Sequence, residues 1–215
     1  MITGTLRWYR DQAIRFQFGD QLQWNDTLLK YEYLTGSTGS KIVSNASAIE
    51  VGDQVRIKVA KDDGSGGLEP LSSTEQIAFT TYMNRIKFAG TNLAITNINA
   101  DQLKLEMRIF YDPLILDATG TLISDGTTKP VENAIENYIQ NLPFDGTYNL
   151  TKLIDAVQVA IGVIDPELIS SQARSGTSVF TPTGQSYVAD AGYLEIDPSF
   201  PLDDVNVIEY VAVTI

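Results

Sequence analysis

The stretch Leu-Lys-Leu-Glu-Met-Arg-Ile-Phe-Tyr at residues 103–111 decides the fold that the sequence predicts. Leucine, methionine, isoleucine and tyrosine stand at every second position, and mostly charged residues fall between them. This period of two predicts a β-strand with one buried face. Asp112-Pro113 comes next and predicts the end of the strand, because proline cannot donate to a sheet and aspartate favours a turn.

Two helices are predicted after this strand. Pro130 suits a first helical turn, and apolar residues recur at helical spacing over residues 131–142. Asn149 is the expected N-cap of the second helix, whose apolar residues lie within 150–161 and which ends at Gly162. The order strand, helix, helix predicts that this half of the chain packs helices on a sheet.

The chain as a whole is expected to belong to the α+β class, in two domains with a boundary near residues 90–101. Residues 1–92 form a strand-rich N-terminal region with flanking short helices. Residues 93–215 form a ferredoxin-like β-α-α-β region with additional strands. Those strands are predicted at residues 168–173, 192–197 and 205–215.

The elements of the N-terminal region follow from turn residues and spacing. They are a helix over residues 5–18, hairpins over 21–33 and 46–61, a helix from 73 to about 89, and a short strand or linker at 93–97.

Two details of this region are specific enough to check. Residues 73–76 fit a capping box that opens the long helix, and Ile77, Met83 and Ile86 are expected on its core side. In the second hairpin, Lys58 is expected on the polar face.

Composition excludes several classes of protein. The chain has 215 residues, 43% of them hydrophobic and 20% charged, which is typical of a folded protein with a sizeable core. No apolar run approaches the length of a membrane helix, and the first residues show no signal peptide. Cysteine and histidine are absent, so disulfides, thiolate metal sites and histidine catalysis are excluded.

The net charge is −12, which disfavours binding to nucleic-acid phosphates. Two interpretations stay open. The charge either serves ordinary solubility or forms acidic walls suited to a conduit for DNA.

Three stretches deserve a test as catalytic or ligand-binding sites. Residues 36–41 superficially resemble a phosphate-binding loop, but the glycine spacing is short and no helix is expected to follow. Asp62 and Asp63 lack the spacing of a calcium loop. Asp203 and Asp204 are adjacent, so on a strand they would face opposite sides rather than share a metal. A nucleotidyltransferase is therefore the less favoured class, and we predict no catalytic, cofactor-binding or metal-ligating residue and no cofactor.

The helical segment resembles the C-terminal domain of the baseplate J family, structural proteins of phage tails and related injection machines. The likeness lies in an Ala-Ile-x-x-Tyr helix, a short turn with glycine, a second helix that ends in Gly-Val, and a strand after the motif. The matching residues here are Ala134, Ile135, Tyr138, Gly146, Leu153, Ala156, Val159, Gly162, Val163 and Asp165.

The chain also resembles a group of small phage proteins of similar length. There the counterparts are Phe18-Gly19-Asp20, Tyr111-Asp112-Pro113 and Asn141-Leu142-Pro143-Phe144. These resemblances imply a non-enzymatic component of a phage tail or baseplate. It would be located in the virion, assembled in the host cytoplasm, and partnered by copies of itself and by other tail proteins. The alternative within this class is a head-to-tail adaptor or sleeve protein. No membrane insertion and no specific nucleic-acid binding are expected.

Residues 205–215 are apolar, rich in β-formers and carry one charge, so as a free edge they would invite unwanted pairing. Two fates are open: a strand within the chain's own domain, or a strand added to a neighbour's sheet. The aromatic residues of the same third of the chain leave a similar choice between core and interface. These residues are Phe180, Tyr187, Tyr193, Phe200 and Tyr210.

Overall fold

The structure is a computed structural model that describes residues 3–34, 36, 37, 39–203 and 205–213. It divides into two compact units, Met1–Asn99 and Ala100–Ile215. Helices and strands are mixed in both, so the predicted α+β class is confirmed.

The first unit contains two helices and six strands among its described residues. In chain order these are α1 (Leu6–Ile14), β1 (Leu22–Asn25), β2 (Lys30–Tyr33), β3 (Asn45–Val51), β4 (Gln54–Asp62), β5 (Leu68–Glu69), α2 (Ser73–Ile86) and β6 (Asn92–Thr96). Strands β3 and β4 form an antiparallel hairpin, β5 pairs with the end of β4, and β6 runs parallel to β4. Strands β1 and β2 pair only with each other in the described chain.

The two units divide between Asn99 and Ala100, within the predicted range of 90–101 but seven residues after the predicted division at 92/93, because of this pairing. Strand β6 begins at Asn92 and lies beside β4, with Ile57 opposite Ile95. Its backbone groups are hydrogen-bonded to the first unit, so the second unit begins at Ala100 instead.

Helix α1 is shorter than the predicted span of residues 5–18. The Thr5 hydroxyl accepts from the Trp8 amide at its start, and the helix ends at Ile14. Phe16 is buried although it lies beyond the helix, so its apolar spacing reflects burial rather than helical backbone.

Helix α2 begins at Ser73 as predicted, and Met83 is buried and Ile86 partly buried as expected, but the capping box lies one residue earlier than predicted. Its capping box joins Ser72 and Glu75, and the helix ends at Ile86 rather than near residue 89. Ile77, expected in the core, is 69% exposed. The buried residues are Phe79, Tyr82 and Met83, whose spacing of three and four defines a helix face that excludes residue 77.

Lys58 was predicted on a polar face, but it is buried. It lies on β4, which has β3 on one side and β6 on the other, and residues 57–60 of that strand are all buried. Lys58 therefore lies on a central strand, with Ser47 of β3 beside it on one edge and Thr96 of β6 on the other.

The second unit contains two helices and seven strands in its described part. These are β7 (Asp101–Tyr111), α3 (Pro130–Gln140), β8 (Thr147–Asn149), α4 (Leu150–Gln158), β9 (Val163–Arg174), β10 (Thr181–Pro182), β11 (Ser186–Val188), β12 (Leu194–Ile196) and β13 (Ile208–Ala212).

Strand β7 is the central strand of the main sheet. It pairs antiparallel with β9, which in turn pairs with β10. Along its other edge it pairs in parallel with β12 at residues 101–103 and with β13 at residues 107–111. Strands β8 and β11 form a separate antiparallel pair.

The order β7-α3-α4-β9 agrees with the predicted β-α-α-β order, with the short β8 inserted between the helices. The ferredoxin-like part of the prediction is not confirmed, since β12 and β13 both lie parallel beside β7. The core lies between the two helices and the sheet, where Ile135 and Leu153 share one buried cluster with Leu105 and Ile109.

The strands near the C-terminus differ in length from the predictions. Strand β9 begins at Val163, five residues before the predicted start, and β12 covers only three residues of the predicted 192–197. The apolar segment predicted over 205–215 contains β13, which pairs with β7 of its own chain. Residues 214 and 215 lie outside the described residues.

Replacing Leu153 by alanine is expected to cost about 2–5 kcal/mol of unfolding free energy, because its side chain is fully buried between α4 and the sheet. The exposed Glu136 on α3 provides the control, and Glu136→Ala should stay within about 0.5 kcal/mol of the parent. Chemical denaturation of both variants measures the difference, and unchanged stability of Leu153→Ala would contradict the core described above.

Gly120 and Gly126 allow a matched test of the contact between β13 and the loop that follows β7. Both have positive φ, +76° and +68°, but a Cβ at Gly120 would overlap the Tyr210 ring, whereas the space at Gly126 is open. Alanine at either position should cost about 1–2 kcal/mol for the left-handed backbone. At Gly120 overpacking should add about 1–3 kcal/mol more. Equal losses in a denaturation experiment would exclude the ring contact.

Candidate interaction surfaces

The loop at residues 36–41 does not have the geometry of a phosphate cradle. The Gly39 amide donates to the Asp20 carboxylate at 2.7 Å, so a carboxylate already occupies the position of an anion. The Phe18 amide donates to the Ser40 carbonyl at 2.9 Å, and strand β3 follows instead of a helix. Thr38 of this loop lies outside the described residues.

The two acidic candidates for metal binding are arranged as turns. The Asp63 carboxylate accepts from the amides of Ser65 and Gly67, and the bond from Ser65 contributes most to lowering the pKa of Asp63. Asp203 is exposed, and Asp204 is not among the described residues. Within the described chain no three acidic side chains come together as metal ligands. That no residue is catalytic, binds a cofactor or ligates a metal stays a prediction.

Sequence reasoning missed two buried carboxylates at one end of the main sheet. Asp101 is fully buried at the start of β7 and accepts from the Asp190 amide at 2.8 Å, the Ala191 amide and the Tyr187 hydroxyl. Burial and the neighbouring carboxylate raise the pKa of Tyr187. Nothing in the sequence pattern marks Asp101, because its partners are brought to it only by the fold.

The second buried carboxylate belongs to an ion pair. Asp197 is fully buried and accepts from Arg174 Nη2 at 2.6 Å, and Arg174 Nε donates to Gln102 Oε1 at 2.8 Å. The guanidinium also lies 4.5 Å from the centre of the Phe180 ring. The network joins β9, β7 and the segment after β12, which makes its role structural.

The aromatic residues near the C-terminus mostly serve packing. Tyr187, Phe200 and Tyr210 are partly buried against the core of the second unit. The ring centres of Phe180 and Phe200 lie 5.9 Å apart in an edge-to-face arrangement, and those of Tyr193 and Phe144 lie 6.2 Å apart in a stacked arrangement.

The first unit contains an open groove of about 690 Å³ between the β1–β2 hairpin and helices α1 and α2. We call it the aromatic groove. Tyr33 stacks on Tyr82 within it, with ring centres 5.8 Å apart and planes 6° apart. Its walls carry the aromatic side chains of Trp8, Trp24, Tyr31, Tyr33, Tyr82 and Phe88.

The charged side chains of the aromatic groove are mostly basic. Arg15, Arg85 and Lys87 line it, and among the described residues neither arginine forms an ion pair. Lys30 is paired with Glu32, the one carboxylate in the lining. The groove therefore combines apolar walls with uncompensated positive charge.

The tip of the β1–β2 hairpin exposes two leucines beside this groove. Leu29 is 72% exposed and has a φ of +50°, a backbone conformation that costs free energy for a residue with a side chain. The Asn25 carboxamide accepts from the amides of Thr27 and Leu28 and holds the turn. With the aromatic walls beside them, the two leucines enlarge the exposed apolar surface of the groove, and large exposed apolar patches mark interaction sites.

The second unit exposes a different apolar surface at the end of β7. Leu114 is 86% exposed, and Ile115, Ile123 and Ile161 are exposed as well. They lie together because the Ile123 amide donates to the Ile115 carbonyl at 3.0 Å, and the Asp112 amide donates to the Gly162 carbonyl at 3.0 Å.

Three carboxylates, Asp112, Asp117 and Asp125, belong to the loop after β7 that also contains Leu114, Ile115 and Ile123. We call the four apolar residues and the three carboxylates the acidic-loop patch.

The charge of the chain is divided unequally between the units. Residues 1–99 contain ten basic and ten acidic side chains, whereas residues 100–215 contain five basic and seventeen acidic ones. The whole net charge of −12 therefore belongs to the second unit.

Eight of the ten residues that resemble the baseplate J family fall into two structural groups. Ile135 and Leu153 are buried in the core of the second unit, and Val163 packs against it. The other five line an open hollow between α3 and α4: Ala134, Tyr138, Gly146, Ala156 and Val159. Gly162 lies against Leu116, on which a Cβ would press, and Asp165 is exposed.

No known family model matches the chain, and a comparison with curated proteins also gave no match. Among the described residues no helix has the length and apolar character required to cross a bilayer.

The acidic-loop patch offers a prediction on protonation. Asp125 accepts from the Thr128 hydroxyl at 2.7 Å and from the Thr128 amide at 2.8 Å, which lowers the pKa of Asp125 to about 2. Because the folded pKa lies below the usual value, the ionised carboxylate stabilises the loop above that value and loses this effect as pH falls towards 2. Thr128→Val should raise the pKa of Asp125, and Thr128→Ser should not. Carboxyl chemical shifts measured against pH by NMR distinguish the two.

Proposed function

We propose that this protein is a structural component of a phage tail or baseplate, without catalytic activity, that assembles with copies of itself and with other tail proteins in the virion. One observation carries the proposal. Eight of the ten residues behind the baseplate J resemblance pack in or against the helix-on-sheet core or line the hollow between α3 and α4. Residues with these roles build a shape and a surface, which suits a virion subunit.

The surfaces of both units support a role in assembly. The aromatic groove and the acidic-loop patch each expose several large apolar side chains. Apolar clusters of this kind mark interaction sites more often than free surface. The acidic second unit also suits a subunit near packaged DNA, because like charge prevents non-specific adhesion to phosphates.

Location in the particle tests the proposal. Phage particles that carry this protein should show it by mass spectrometry of purified virions. Antibody labelling viewed by electron microscopy should place it at the tail tip. Labelling at the neck would identify the head-to-tail adaptor or sleeve protein instead. Absence from purified particles would remove the virion role.

The non-enzymatic part has a separate test. The purified protein, incubated with nucleoside triphosphates and Mg²⁺, should show no turnover. Nucleotide hydrolysis or transfer that Asp203→Asn or Asp204→Asn abolishes would establish the nucleotidyltransferase alternative. Glu136→Gln, on the exposed face of α3 and outside every candidate site, serves as the control variant.

A further inference from the structure

We propose that the aromatic groove of the first unit binds the acidic-loop patch of a second copy of this chain. The proposal deepens the assembly role proposed above, on which it rests, by naming the partner and both contact surfaces.

The groove has the features of a protein-binding site. Its aromatic walls include Trp24 and Tyr31, both exposed and 5.2 Å apart at their ring centres. Tryptophan, tyrosine and arginine are the residues that contribute most binding energy at protein interfaces. Arg15 and Arg85 add positive charge that no acidic side chain of the described chain neutralises by ion pairing. The occupant should therefore be apolar and negatively charged.

The acidic-loop patch has the complementary chemistry. Leu114 and Ile161 provide exposed apolar surface, and Asp112, Asp117 and Asp125 provide the negative charge. The local cation Lys129 pairs with Glu132 at 2.8 Å and also acts on Asp117, but one lysine faces three carboxylates of the patch and a fourth in Glu132, so the charge there stays negative. The loop is also well defined, since Asp117 and Asp125 accept hydrogen bonds from its own amides and hydroxyls. A prearranged loop loses little conformational entropy on binding.

Single-stranded nucleic acid is the competing occupant, because bases stack on aromatic side chains and arginine binds phosphate. The observations favour the protein partner. Nucleic acid would leave the exposed leucines of the hairpin tip without an apolar partner, whereas the patch of a second copy brings both carboxylates and aliphatic side chains to the groove. Apolar side chains such as Leu114 can also pack against the aromatic walls of the groove, which phosphates cannot do.

A contact between two different surfaces is heterologous. Each copy would then keep one groove and one patch, and further copies would add until a ring closes or a filament grows. Such a contact predicts that a chain with a defective groove and a chain with a defective patch can still form one contact with each other, but no further contacts.

The test uses the full chain with one surface changed at a time. Arg85→Glu reverses a charge in the groove. Leu114→Asp replaces an exposed apolar contact of the patch with a hydrated carboxylate. Both side chains are exposed, so the monomer should fold, as circular dichroism can verify. Sedimentation velocity at low salt should show wild-type assemblies larger than a dimer. Each variant alone should be monomeric, with self-association weakened at least about tenfold.

An equal mixture of the two variants is the decisive sample. The Leu114→Asp chain keeps its groove and the Arg85→Glu chain keeps its patch, so the mixture should form a dimer of one copy of each and nothing larger. The matched controls are Lys41→Glu in the first unit and Val179→Asp in the second, both exposed and outside the two surfaces. They should assemble like the wild type.

Several results would overturn the inference. These are a monomeric wild type, normal assembly by either surface variant, a mixture that stays monomeric, or control variants that fail equally. Arg85-dependent binding of fluorescent oligothymidylate by a chain that does not self-associate would assign the groove to nucleic acid. Particles that incorporate Arg85→Glu and Leu114→Asp normally would retain the proposed virion role and remove only this interface.

Discussion

The pairing of β7 on both edges is the constraint on which the rest of the second unit depends. Its odd-numbered residues from Asp101 to Tyr111 are all buried, and its even-numbered residues lie on the opposite face. A slip of one residue would turn Lys104, Glu106 and Arg108 into the core, where unpaired charge is strongly unfavourable. The register with β9, β12 and β13 therefore follows from burial, and the helices find a single apolar face on which to pack.

Charged groups act on the two faces of this sheet in different ways. On the even-numbered face Arg108 pairs with Glu167 on β9 and Glu209 on β13, at 3.1 and 2.7 Å. These exposed pairs cross three strands but contribute little free energy, since solvent screens them. At the start of β7 the buried carboxylate of Asp101 accepts from the loop amides of Asp190 and Ala191, and that of Asp197 accepts from Arg174 on β9 and from the loop amide of Ser199. Buried charge fixes those loops because an unpaired alternative is costly.

The separation of charge between the units gives the chain two chemically different surfaces. The first unit has no net charge, and four of its ten basic side chains line the groove with aromatic walls. The second unit has all the excess negative charge, part of it on a loop with exposed leucine and isoleucine. Opposite charge gives orientation and speed to an encounter, while the apolar contacts supply most of the affinity. An assembly built from such contacts should weaken at high salt, unlike one held by apolar burial alone.

The sequence by itself determined the α+β class, the strand at 103–111, the two helices after it and the turn at Asp112, because each depends on local spacing or on one turn residue. The sequence pattern wrongly predicted Ile77 in the core and Lys58 on a polar face. Their burial depends on which neighbours pack against a helix face or beside a central strand. Only the tertiary structure decided that the last strand stays in its own sheet, that β6 belongs to the first unit, and which side chains meet in the aromatic groove. Those outcomes join residues far apart in the chain, and periodicity contains no information about such partners.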